Sequence, residues 1–161
     1  MPGVKVVGAP HTKGSLQCVG PRKCPGCGGA VFHQLVEDDP TGGGKLWRKQ
    51  LESGGRALRA SIGYTFEGPV SVDATFVFER PAAASRRLFP HTRSSGDLDK
   101  LTRMLLDALT SAQVLRDDSL VCELNVRKQY PGMIPELSGP GVVVRLDLMV
   151  DPDALPIEGG M

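Results

Sequence analysis

GDLDKLTRMLLDALTSAQVLRDDSLVCELNVRK, residues 96–128, passes from a helical to a strand period across a single turn. Leu98, Leu101, Leu105 and Leu109 recur at helical spacing and predict one apolar stripe. Asp97 stands at the helix mouth, where a carboxylate caps free amides and its charge is favourable. After a turn at 115–118, Leu120, Cys122, Leu124 and Val126 alternate as a strand, with Cys122 expected as a buried packing residue. Two acidic clusters flank the helix, Asp97/Asp99 before it and Asp117/Asp118 after it. Carboxylates held near one another repel unless a cation sits between them, which makes the segment a candidate for a divalent metal and for phosphodiester chemistry. A helix of about 15 residues spans roughly 22 Å, so local spacing does not join its two ends. Either the strand from Asp118 runs back beside the helix, or the chain folds so that the strand mouth approaches Asp97.

Upstream, Val70, Val72, Ala74, Phe76 and Phe78 share one face of a predicted half-buried strand. An Arg-, Ala- and Ser-rich linker with Pro81 and Pro90 covers residues 80–96. The spacing of Leu46, Leu51, Leu58 and Ile62 predicts a helix over 46–62, which Gly54 and Gly55 should weaken by roughly 1 kcal/mol each. Residues 8–45, rich in Gly and Pro and without a clear period, read as an extended loop after a short opening strand at Val4–Val7. Downstream, a Gly/Pro loop over 131–141 leads to a last strand with Val142, Val144, Leu146, Leu148 and Val150 on one face. The order is β–α–β–α–β–β. It predicts a single α/β (α+β) domain with a mixed four-stranded sheet, two main helices and a final hairpin-like strand pair. Residues 151–161 are a polar tail.

At 161 residues the chain suits one domain with a real core. A net charge of +1 does not mark a strongly basic polyanion binder, yet Arg80, Arg86, Arg87, Arg93, Lys100 and Arg103 cluster before and within the acidic helix. No apolar run reaches the length of a membrane span, and no long apolar segment precedes a cleavage site near the start. Four cysteines without a secretory signal argue for thiols or thiolates in a cytoplasmic setting.

Three of those cysteines form a pattern. Cys18, Cys24 and Cys27, followed by His33, have the make-up of a zinc knuckle, in which three thiolates and an imidazole close a tetrahedron around Zn²⁺. The plainer reading is a loop with free thiols. His11 and His91 carry no partner pattern. Trp47, beside Arg48, is expected as a core anchor rather than a base-stacking residue.

The run Gly96-Asp97-Leu98-Asp99, then Leu105-Leu106-Asp107-Ala108-Leu109, then Arg116-Asp117-Asp118-Ser119 and Lys128, resembles the RusA family of Holliday-junction resolvases. The likeness extends more loosely to Gly8-Ala9-Pro10, Lys13-Gly14-Ser15, Trp47-Arg48 and the closing strands. It implies a nuclease domain over 1–150, with 16–45 as a Cys-containing loop insert. It also implies that Asp97, Asp99 and Asp118 are the catalytic acids and the ligands of Mg²⁺, with Mn²⁺ an alternative. Carboxylates hold such an ion with several waters retained, and the ion activates water and neutralises charge at the phosphate. Asp107 and Asp117 take supporting roles, Asp107 as a partner for Arg103 one turn away. Where the family has Asn after the second aspartate and Lys three residues on, this chain has Lys100 and Arg103. Arg103 is expected to clamp phosphate in a bidentate way and Lys100 to supply the ammonium.

Further implications are a homodimer, branched double-stranded DNA as partner, no membrane, and a phage- or prophage-encoded protein working in the bacterial cytoplasm. Lys13, Arg86, Arg87, Arg93 and Lys128 are the expected phosphate contacts. The alternative is a non-catalytic or broader-specificity branched-DNA-binding protein with a zinc-braced loop.

Overall fold

The computed structural model describes residues 1–150 except 15, 24, 25, 27, 28, 30, 38, 40 and 83–88. Eight main elements follow in chain order: strands β1 (Gly3–Val7), β2 (Leu16–Lys23) and β3 (Val31–Glu37), helix α1 (Gly43–Ile62), strand β4 (Val70–Val77), helix α2 (Leu98–Ser111), and strands β5 (Val121–Gln129) and β6 (Gly141–Leu148). The main sheet has the order β1-β6-β4-β5, and β2 and β3 form a sheet of their own. The predicted mixed four-stranded sheet with two helices is therefore present. Among the described residues no helix is long and apolar enough to cross a membrane.

β4 is an inner strand, antiparallel to β6 and parallel to β5. Its alternation is the reason: Val70, Val72, Ala74 and Phe76 enter one core with Trp47, Leu51 and Leu58 of α1 and Leu101, Leu105 and Leu109 of α2. Both helices thus cover the same face. Among the described residues the opposite face carries a small cluster of Val77, Leu137 and Val143. Thr75 and Val77 are buried too, so β4 is more enclosed than a half-buried strand.

Gly54 and Gly55, which should weaken α1, are contact points. A Cβ on Gly54 would lie 2.5 Å from Cγ2 of Val6, and one on Gly55 would lie 2.7 Å from Cβ of Ala112. The missing side chains let α1 approach both β1 and the end of α2. The carboxylate of Asp39 accepts the amides of Gly44 (3.3 Å) and Lys45 (3.0 Å), so α1 starts earlier than its leucines suggest. Leu46 is exposed, and Trp47 fills the core in its place.

Three expectations are corrected. Residues 8–45 are not one extended loop, because β2 and β3 pair as an antiparallel hairpin within them. Val19, Val31, Phe32 and Leu35 stay exposed there, so no buried face left a period to read. The last two strands are not a hairpin pair, since β4 lies between β5 and β6. Cys122 is exposed rather than buried. Val70 pairs with Val121 and the next residue, Ser71, with Glu123, so Cys122 falls in a bulge that breaks the alternation. The tail 151–161 lies outside the described residues.

Candidate functional site

α2 connects two parallel neighbours, so it runs antiparallel to both, and β5 travels back along it from Asp118. The two acidic clusters consequently sit toward opposite ends of one helix–strand unit.

At the N-terminal end, Gly96 adopts φ +66°, and a Cβ there would lie 2.2 Å from Cγ2 of Thr12. Only glycine suits that turn, which delivers Asp97 to the N-cap of α2. Buried Ser95 anchors the turn by donating its hydroxyl to the carbonyls of Thr92 (2.8 Å) and Pro90 (3.1 Å). Lys128, at the far end of β5, donates its ammonium to the Ser95 hydroxyl (3.0 Å) and the Gly96 carbonyl (2.8 Å). A lysine expected on DNA thus holds the loop that carries the acids. Asp97 is the helix N-cap residue, but its side chain caps no amide. Its carboxylate instead lies 3.3 Å from the Lys100 ammonium, an exposed pair one turn apart.

The C-terminal end is set by Phe66. Its amide donates to the Val114 carbonyl (2.8 Å), and its carbonyl accepts the Arg116 amide (3.0 Å). With Phe66 buried in the core, the turn after α2 is fixed to the body, and the chain emerges at Asp117. The Asp117 carboxylate accepts the Ser119 amide at 2.9 Å and starts a short 3-10 turn, Asp118–Leu120. Hydrogen bonds from the side chain and backbone of Ser119 hold its carboxyl below the usual carboxylate range. Asp117 therefore serves the turn, and Asp118 is left free on the surface.

Between these ends, α2 and β5 enclose an open groove of about 470 Å³ lined by Leu98, Asp99, Thr102, Arg103, Leu106, Asp118, Leu124 and Val126. Asp99, Arg103 and Asp118 all line it, while Asp97 stands outside the lining. Among the described residues, Asp99, Asp118 and Arg103 have no ion-pair partner. Asp107 does not pair with Arg103. It pairs with Lys13, whose backbone amide also reaches the Lys100 carbonyl (3.4 Å). A smaller recess beside the groove is lined by Lys13, Arg48, Asp107, Thr110, Ser111 and again Asp118. Among the described residues of one chain, no three His, Cys, Asp or Glu side chains gather closely enough to hold a metal ion.

Of the other expected contacts, Arg93 is exposed, and Arg86 and Arg87 lie outside the described residues. Cys18 and His33 face each other across the hairpin, with Sγ 3.3 Å from Nδ1, whereas Cys24 and Cys27 lie outside the described residues. Sequence reasoning missed Ser95. Its only signal was a small hydroxyl residue directly ahead of Gly-Asp, which does not by itself mark a buried anchor.

A family model described as endodeoxyribonuclease RusA matches residues 45–146. The match runs from α1 into β6 and so takes in the helix–sheet body except β1; the β2–β3 hairpin also precedes it. No curated protein matches the chain.

Proposed function

The chain belongs to the RusA endodeoxyribonuclease family, and from that premise we propose that it is a Mg²⁺-dependent enzyme resolving four-way (Holliday) DNA junctions by two symmetric cuts. The observation that carries this reading is the groove itself. Two carboxylates without a cation partner, Asp99 and Asp118, stand beside Arg103, a guanidinium without an anion partner among the described residues. Exposed oxygen donors suit a hard divalent ion, which takes one or two carboxylates and keeps several waters. Asp97, Asp99 and Asp118 would hold it, with Mn²⁺ as a substitute. The ion would activate water and neutralise charge at the scissile phosphate.

The remaining work falls to side chains of this chain. Arg103 offers a planar fork to two phosphate oxygens and fixes the strand against the acids. Lys100 is held by Asp97 through an exposed pair, a contact weak enough to exchange for phosphate. Arg93, exposed just before the motif, is placed to follow the backbone. Lys13 and Lys128 already have internal partners and act through the loop and helix they hold.

A homodimer accounts for both the symmetry of the cuts and the spread of the acids. Within one chain, Asp99 and Asp118 line a groove whose lining leaves out Asp97, and among the described residues no three acids gather closely enough to hold an ion. A two-fold axis offers each Asp97/Asp99 pair the Asp118 of the partner subunit. Exposed Leu124 and half-buried Leu98, Leu106 and Val126 supply apolar surface in that region. Such an enzyme, encoded by a phage or prophage, would act in the bacterial cytoplasm.

The test uses a synthetic four-way junction with Mg²⁺, with EDTA, and with Asp118→Asn. Paired ligatable nicks are expected in the first sample only, and the variant should lose at least about a hundredfold in rate. Undiminished cutting by Asp118→Asn would sink the site assignment, while binding without cutting in every sample would favour a non-catalytic junction binder. Mixing Asp99→Asn and Asp118→Asn chains then reads the dimer. If acids from two chains share a site, mixed dimers recover one site and nick; self-contained sites would stay silent.

A further inference from the structure

The hairpin holds a pair of side chains that the nuclease reading does not use. On adjacent strands, Sγ of Cys18 lies 3.3 Å from Nδ1 of His33. Zinc bound by a thiolate at about 2.3 Å and an imidazole at about 2.0 Å places the two donor atoms about 3.5 Å apart in a tetrahedron. The observed separation is close to that edge. The register supports the pairing, because Cys18 faces Leu35 and Pro21 faces His33, with an irregularity between them. Cys18 and His33 therefore share one face as diagonal neighbours.

The hairpin also needs a staple. A lone two-stranded hairpin is marginally stable in water, and among the described residues β2 and β3 pair only with each other. Among the described side chains, the large apolar Val19, Val31, Phe32 and Leu35 are exposed, so their burial contributes little. Small elements without a core are commonly secured by a structural metal. We propose that Cys18 and His33 form one edge of a structural zinc site that braces the β2–β3 hairpin, separate from the acidic groove.

Thiolate and imidazole donors select a borderline-soft ion over Mg²⁺, so the two metals do not compete. The chain between β2 and β3 carries two further thiols, Cys24 and Cys27, outside the described residues. The hairpin precedes the region matched by the family, which makes this ion an addition to the nuclease body.

Metal content, read without DNA, tests the site independently of the nuclease assignment. The full chain, purified without a polyhistidine tag and under reducing conditions, is expected to retain one zinc. Cobalt substitution should give thiolate-to-cobalt charge-transfer absorption, whose intensity counts the thiolates. Cys18→Ser keeps a hydrogen-bonding partner for His33 but is a poor ligand, and it should lower retained zinc at least about tenfold. Amide exchange should then quicken in β2 and β3 and stay unchanged in β4. His33→Cys, which preserves a ligand, should retain zinc where His33→Ala loses it, and exposed Cys122→Ser should behave as the parent. Zinc below about a tenth of an equivalent after loading and desalting would overturn the proposal. So would a Cys18→Ser chain that holds zinc as the parent does, since the contact would then be an ordinary hydrogen bond.

Discussion

In β4, every second residue from Val70 to Phe76 is buried against two helices, whereas in the β2–β3 hairpin Val19, Val31, Phe32 and Leu35 remain in solvent. Both regions are β structure with paired strands and one register shift each, in β2–β3 and in β4–β5, yet different forces hold them. The body around β4 draws its stability from apolar burial, at about 25 cal/mol for each Å² removed from water. Among the described residues the hairpin has cross-strand hydrogen bonds and a Cys–His contact, and such bonds return only about 1 kcal/mol each once water is exchanged. The consequence is functional. The proposed metal ligands Asp97, Asp99 and Asp118 all hang from the buried body, and the hairpin joins that body through a short segment at each side.

The contrast breaks most readily in the core. Leu105 of α2 is 1% exposed and touches the face on which α1, α2 and β4 converge. Leu105→Ala should cost about 2–5 kcal/mol, read as a lower urea midpoint, because the packed layers cannot close around the cavity. A loss below about 1 kcal/mol would mean that the body is loosely packed and that burial does not separate it from the hairpin.

Lys128 sharpens the comparison within the body. Its ammonium ties the end of β5 to Ser95 and Gly96, so Lys128→Met leaves the Gly96 carbonyl without its charged donor. The expected loss is about 1–3 kcal/mol, with faster amide exchange around Gly96 and slower junction cutting. A lysine working on DNA would behave otherwise. Its loss would leave stability unchanged, weaken junction binding, and reduce the salt dependence of binding by about one unit of slope. Urea titration and binding at several salt concentrations separate the two roles.

What the sequence made legible tracks the same division. The period of Val70, Val72, Ala74 and Phe76 and the stripe of Leu101, Leu105 and Leu109 could be read because each reports one buried face. The hairpin left no such trace, since both of its faces meet solvent. Cys122 misled because a bulge shifts the alternation by one residue, and composition carries no sign of a bulge. The strand neighbours of β5 and β6 were equally hidden, as a hydrophobic pattern states which face is buried and not which strand lies beside it. In the acidic segment the sequence offered the acids and Arg103 as candidates. That Asp99, Arg103 and Asp118 line one groove and Asp97 does not depends on how β5 returns along α2. Lys13 and Lys128, expected on phosphate, have internal partners that nothing in the sequence signalled, since a lysine with such a partner looks in sequence like one without.

The smallest expected effect is the most direct check on the division. Before the hairpin, the Lys13 ammonium grips Asp107 and its amide reaches the Lys100 carbonyl; after it, Asp39 caps α1 through Gly44 and Lys45. Both attachment points belong to the body and lie outside the span of β2 and β3. Replacing residues 16–37 with a short Gly/Ser linker should therefore leave every body contact in place. Closing a shorter loop changes the entropy of the unfolded chain by only about 0.6 kcal/mol per halving of length, and in the stabilising direction. The urea midpoint should consequently stay within about 0.5 kcal/mol of the parent or rise slightly. A drop of several kcal/mol would show that the hairpin supports the helices directly, and the acids would then depend on an element that burial does not hold. If the midpoint stays and junction cutting falls, the hairpin acts on DNA while the body alone positions the acids.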